Sequence, residues 1–173
     1  MKAPLDDTAG GFWHPAHLVA TVGGIGHLRP APGTWGSLVA LPLAWLAWQG
    51  GGVALLLAAA VAAFAGGLWA SAVMVRGSAV KDPGFIVIDE VAGQLLAALP
   101  IPWWFDQSAG LGSVMAMGLA FVLFRAFDIG KPWPIGWIDR RVTGAWGVML
   151  DDVAAGLIAA LILAAILATG VIG

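Results

Sequence analysis

The stretch FRAFDIGKPWPIGWIDRRVTGAWGVMLDDVAAG, residues 124–156, decides the fold. The chain has 173 residues, with eight Lys and Arg and ten Asp and Glu. Eight of those charges fall in this one window: Arg125, Asp128, Lys131, Asp139, Arg140, Arg141, Asp151 and Asp152. Uncharged stretches, 107–124 and 153–173, flank it on both sides and are long enough to cross a bilayer. Charges this rare and this clustered between such stretches mark a functional site of a membrane protein.

The whole composition agrees. Hydrophobic residues make up 60% of the chain, charged residues only 10%, and the mean hydropathy is +0.91. A soluble core of this length does not need so apolar a sequence. By length, residues 1–173 form a single domain. A net charge of −2 with no large basic patch leaves no basis for nucleic-acid binding. The absence of cysteine excludes disulfides, thiolate metal sites and cysteine nucleophiles together. There is no tyrosine, so the ten tryptophans must supply any interfacial aromatic belt. The N-terminus does not read as a signal peptide, because Lys2 is followed by Asp6 and Asp7 and sustained apolar sequence begins near Trp35.

The expected architecture is all-α: a multi-pass helical membrane protein with about five apolar helices, the first short or re-entrant. A short helix is expected around His17–Val22, followed by a Gly- and Pro-punctuated loop. Residues 35–48 are apolar but contain Pro42, and Gln49-Gly50-Gly51-Gly52 reads as a turn. Residues 53–75 carry no charge, roughly 34 Å of helix, so 35–75 reads as a tight helical hairpin. Asp82-Pro83 has the form of a helix start. The helix it would open, FIVIDEVAGQLLAALPIPWW, then carries Asp89 and Glu90 five or six residues inside. A fourth span lies between Asp106 and Arg125, and a fifth follows Asp152. With a cytoplasmic N-terminus all eight Lys and Arg lie in or beside the cytoplasmic segments. Nine of the ten acids fall at that same face, with only Asp106 opposite.

A short echo links two of these helices. Val87-Ile88-Asp89-Glu90-Val91-Ala92-Gly93 resembles Met149-Leu150-Asp151-Asp152-Val153-Ala154-Ala155-Gly156: an acid pair, then Val-Ala, then a glycine near one turn later. Glycine lets helices approach closely, which would bring the acid pairs together. Adjacent acids on a helix point about 100° apart, so one pair is not a whole site. Two pairs could surround a hard cation, and Mg²⁺ prefers such oxygen ligands, completed by water and substrate phosphate. The bland alternative is that each pair is a solvated helix start, since acids favour N-termini.

Asp128 sits where the fourth helix should stop, opposing the macrodipole, so it needs Lys131, Arg125 or a metal nearby. Pro132 and Pro134 flank Trp133 and fix the launch point of Lys131. Trp133 and Trp137 read as interfacial anchors as readily as substrate contacts, and Arg140-Arg141 as contacts to anionic headgroups. His27 is a candidate acid–base group on weak grounds. Gly24-Ile25-Gly26 lacks the third glycine and the strand–helix setting of a dinucleotide site. The chain also lacks DxDx[TV], the PSGH…SRxxxxxH pair of histidine-using lipid phosphatases, and the DGxxAR…GxxxDxxxD signature of CDP-alcohol phosphotransferases.

Four blocks, PAPGTWGSL (30–38), DPGFIVIDEVAGQ (82–94), FRAFDIGKPWPIGWIDRRVTG (124–144) and GVMLDDVAAG (147–156), resemble in order the signature blocks of phosphatidylglycerophosphatase A. The resemblance spans about residues 20–160. It implies an all-helical, Mg²⁺-dependent enzyme of the bacterial inner membrane, with its site facing the cytoplasm. Its substrate would be phosphatidylglycerophosphate, its product phosphatidylglycerol. The family's acidic positions fall on Asp82, Asp89, Glu90, Asp128, Asp139, Asp151 and Asp152, and its lysine on Lys131. Gly144-Ala145 stands where the family often has paired glycines.

On these grounds Asp89, Glu90, Asp151 and Asp152 are the candidate ligands for one or two Mg²⁺ ions. Asp128, Lys131 and Asp139 are the candidate catalytic residues, and Arg125, Lys131 and Thr34 the candidate substrate contacts. An ion or proton transporter also uses intramembrane acids. The sequence argues against that reading, since nothing ionisable lies at mid-bilayer.

Overall fold

The computed structural model describes residues 11–75, 83–106 and 110–172. Arg76, Lys81 and Asp82, and the N-terminal Lys2, Asp6 and Asp7, lie outside the described residues. Those described are helical, with no strand among them. In chain order the helices are α1 (Pro15–Ala20), α2 (Pro32–Met74), α3 (Ile88–Ala97), α4 (Leu111–Gly130), α5 (Ile135–Arg141) and α6 (Gly144–Leu167).

Three of these, α2, α4 and α6, are long and apolar enough to cross a membrane, fewer than the five spans expected. Two physical causes account for the difference. The first two expected spans are one element, α2, which loses helical geometry only at Gly51 and Gly52; Gly52 takes φ +60. Position 36 meets Val87 and position 67 meets Ile88, although a straight helix would hold them about 46 Å apart. The chain therefore doubles back at this glycine pair, and α2 is a hairpin. The expected third span is the second cause. α3 has only 10 residues, about 15 Å of helix, and stops well short of a crossing.

Both acid-bearing helices start elsewhere than their sequence suggests. Pro83 does not open α3. The Val87 N–H donates to the Ala20 carbonyl at 2.8 Å, which ties this lead-in to α1 and delays the helix to Ile88. Asp89 and Glu90 consequently lie in its first turn. α6, by contrast, begins at Gly144, whose φ of +69 turns the chain out of the preceding loop. Asp151 and Asp152 are therefore two turns inside a helix and buried.

α3 is held between α2 and α6, and α6 also packs on α4 and α5. The approach of α3 to α6 is closest at two glycines. A Cβ on Gly156 would lie 2.3 Å from the Gly93 carbonyl oxygen, and one on Gly93 would meet Phe124 at 2.5 Å and the Asp152 carbonyl at 2.7 Å. Backbone sits against backbone, as the echoed motif implies.

α1 and the short 3-10 turn Ile25–His27 form a cap beside this bundle. His17 is buried and its Nε2 lies 2.9 Å from His27 Nε2, while Phe85 stacks on both rings. The partner of His27 is therefore a histidine, not a carboxylate. Burial, then the neighbouring His27 and His14, lowers the His17 pKa.

Gly156→Ala is expected to destabilise the protein by about 1–3 kcal/mol, because neither backbone can yield. Gly118→Ala, with open space around it, should leave stability unchanged or raised. Thermal unfolding in detergent micelles compares them, and equal Tm values would dismiss the tight α3–α6 contact. The His17 shift has a definite sign. Its neutral form is favoured in the fold, so its contribution is full above the unfolded value of about 6.5 and is lost as pH falls. Tm should drop between pH 7.5 and 5.5, and drop less in His17→Phe; equal drops would place the acid sensitivity elsewhere.

Candidate active site

The site is assembled at the end of the bundle where α2 begins, α3 begins and α4 stops. α3 contributes Asp89 and Glu90 from its first turn, and α6 brings Asp152. One oxygen of each of these three carboxylates lies within 4.8 Å of the other two. Asp89 and Asp152 are only 6% and 4% exposed. Two full charges at that spacing repel by about 3.5 kcal/mol at an effective dielectric constant of about 20. There are three such pairs. The nearest guanidinium nitrogen, Arg125 Nη1, stands 4.0 Å from Glu90 and offsets roughly one of them. The other Glu90 oxygen, Oε2, is buried with no hydrogen-bond partner. A buried all-oxygen donor set, short of positive charge and with an unsatisfied oxygen, fits a hard divalent cation such as Mg²⁺.

α4 supplies the cations. Arg125 and Asp128, one turn apart in its last two turns, form a short ion pair. This places a positive charge where the helix C-terminus would otherwise leave Asp128 opposed by the macrodipole. The Asp128 side chain also reaches Asp152. Lys131 caps α4 in the left-handed region at φ 41, a conformation costly for a non-glycine residue. That turn carries its ammonium back to α6, with Nζ 2.7 Å from Asp151 and 3.0 Å from Asp139 on α5. Burial opposes the charge, but the hydrogen bonds and charges of Asp151 and then Asp139 outweigh it, and the Lys131 pKa is raised. α5 can start so close only because Gly136 has no Cβ, which would lie 2.5 Å from the Lys131 carbonyl.

The four expected metal ligands are thus divided. Asp89, Glu90 and Asp152 converge, whereas Asp151 turns to Lys131. Asp128 and Arg125 adjoin the first group, and Asp139 joins Lys131 in the second. Thr34 lies half-buried in the first turn of α2, next to Gly33. Arg140, Arg141, Trp133 and Trp137 are exposed and form part of neither group.

Two residues of the α2 start were not singled out from sequence. Gly33 lies directly under Glu90, and a Cβ there would sit 1.9 Å from Oε1. Ser37 is fully buried, donates to the Gly33 carbonyl at 2.9 Å and receives Arg125 Nη1 at 3.4 Å. Both lie in the PAPGTWGSL block. Neither is ionisable, so the only signal they offered was small polar sequence at the head of an apolar helix.

Comparison with known proteins gives the family. The family model described as phosphatidylglycerophosphatase A matches residues 18–167. Phosphatidylglycerophosphatase A of Escherichia coli K12 is 38% identical over 156 residues, 87% of this chain and 82% of that protein. The Haemophilus influenzae phosphatidylglycerophosphatase A is 36% identical over 153 residues, 88% of this chain and 89% of that protein. No solved structure matches the chain. The match runs from α1 to the end of α6 and takes in every residue of both carboxylate groups, so the chain belongs to the phosphatidylglycerophosphatase A family.

Proposed function

We propose that this chain hydrolyses the terminal phosphomonoester of phosphatidylglycerophosphate, releasing inorganic phosphate and leaving phosphatidylglycerol in the membrane. The observation that carries this reading is the family match over residues 18–167. The geometry supports it, because a buried carboxylate trio beside two cations suits a phosphate. The site also stands at one end of long apolar helices, the level at which a lipid phosphate is held.

Asp89, Glu90 and Asp152 would hold Mg²⁺. When bound, the ion supplies neutralisation of phosphoryl charge and a more acidic water at neutral pH. Arg125 and Lys131 face the substrate oxygens and offset the charge that grows on them in the transition state. Lys131 acts as a fixed charge. Held protonated by Asp151 and Asp139, it is a poor proton donor at neutral pH. Asp128 is the group assigned to orient the attacking water and accept its proton, with Asp139 second. Thr34, in the first turn of α2 beside Gly33, would contact the headgroup.

The active face is assigned to the cytoplasmic side of the bacterial inner membrane, on the placement of Arg140, Arg141 and the other basic residues near that end. The chain lacks cysteine, so Arg140→Cys offers a single label site. It should react with an impermeant maleimide in inverted vesicles and not in intact spheroplasts, and the reverse pattern would overturn the orientation.

The activity is tested with purified protein in detergent and phosphatidylglycerophosphate. Release of phosphate should require Mg²⁺ and stop with chelator. Asp152→Asn should abolish it and weaken Mn²⁺ binding, measured by paramagnetic resonance, by roughly 10–100-fold. Asp151→Asn should lower turnover while leaving Mn²⁺ affinity within a few-fold. Chelator-resistant release, or equal loss of Mn²⁺ in both variants, would sink the metal assignment.

A further inference from the structure

Ser37 stands in the second turn of α2, fully buried, and contacts the site through one atom. Its hydroxyl hydrogen is committed to the Gly33 carbonyl at 2.9 Å. A serine hydroxyl has only one hydrogen, so toward Arg125 the Oγ can act only as an acceptor. Arg125 Nη1 lies 3.4 Å from it. The same nitrogen donates to Asp128 Oδ2 and stands 4.0 Å from Glu90 Oε1. Nη1 has two hydrogens. One goes to Asp128, and Ser37 and Glu90, on α2 and α3, compete for the other.

The distances show how that competition stands. At 3.4 Å Ser37 is a long but real acceptor, whereas Glu90 at 4.0 Å is outside hydrogen-bond range. An ionised Glu90 is the stronger acceptor and would win if the neutral one were removed. Gly33, with no side chain, leaves Glu90 room to stay where it is.

We infer that Ser37 is a positioning residue that holds the Arg125 guanidinium off Glu90, keeping that carboxylate available to a divalent cation and the guanidinium available to phosphate. This rests on the phosphatase reading above. Without the Ser37 acceptor, Arg125 closes on Glu90 as a charge-assisted pair. One ligand of the trio is then spent on a cation of the protein itself.

The test is Mn²⁺ binding by paramagnetic resonance on the full-length protein in detergent without substrate, alongside kcat and KM for phosphatidylglycerophosphate. Ser37→Ala should weaken Mn²⁺ roughly tenfold, the scale of a hydrogen bond to a charged group, and lower kcat/KM in parallel. In an Arg125→Met background there is no guanidinium to swing, so adding Ser37→Ala should change Mn²⁺ affinity little. Ser37→Cys keeps the shape in a slightly larger side chain, is a poor acceptor, and should behave as Ser37→Ala does.

Unchanged Mn²⁺ affinity in the Ala or Cys variant, or an equal loss with and without Arg125, would overturn the inference. Loss of fold in both variants would make Ser37 a packing residue and overturn it as well. Wild-type protein that releases phosphate while the variants match it removes only the role of Ser37. Wild-type protein that neither binds Mn²⁺ nor releases phosphate removes the phosphatase reading, and this inference with it.

Discussion

The site depends on the contact between the backbones of Gly93 and Gly156. In a bilayer, helices gain little from hiding apolar surface from one another, because lipid tails are equally apolar, so association rests on close packing. Here it must also overcome repulsion. Glu90 and Asp152 lie about one turn before the two glycines, so the contact that joins α3 to α6 also presses like charges together. The 2.3 Å a Cβ at Gly156 would leave to Gly93 shows how little tolerance there is. Phe124 closes the same junction from α4, and it does so one residue before Arg125. One packed layer thus sets the spacing of the acids and the position of the first cation.

The second cation follows from how α4 ends. Lys131 leaves the helix in a left-handed conformation that the two carboxylates on its ammonium hold in place. Asp151 and Asp152 then divide the site between them. Consecutive residues on α6 look in different directions, one to the carboxylate trio and one to Lys131. The acid pair is therefore a junction between the two groups. Each group keeps a positive charge within reach of its acids, and the excess of negative charge is larger in the trio.

The sequence shows clearly those features that rest on charge and glycine. Eight charges between apolar stretches mark Arg125, Asp128, Lys131, Asp139, Asp151 and Asp152, and the repeated acid pair followed by glycine adds Asp89 and Glu90 and marks the helix contact. The glycine run at 50–52 located the turn of the hairpin. Helix starts were misread for a definite reason. Asp82-Pro83 carries a strong local start signal, but the bond from Val87 to Ala20 is a tertiary one that no local pattern reports. The start of α6 at Gly144 was likewise hidden, because Trp146 to Leu150 reads equally well as a loop or as a helix. The result was to exchange the depths of the two acid pairs along their helices. Ser37 and Gly33 escaped notice because what they do depends on a neighbour 88 residues away in the first case, and on an absent side chain in the second.

The arrangement also limits what the site can act on. Its acids and cations gather where α2 and α3 begin and α4 ends, and the last two turns of α4 carry both Arg125 and Asp128. Behind them run Ala155, Ala159 and Leu163, apolar and buried along α6. Exposed Trp133, Trp137, Arg140 and Arg141 border the site on the loop and helix that hold Lys131. Aromatic and basic residues of that kind settle at the headgroup layer. A lipid phosphate held at that layer by its acyl chains would meet these residues without the protein having to draw it from solution.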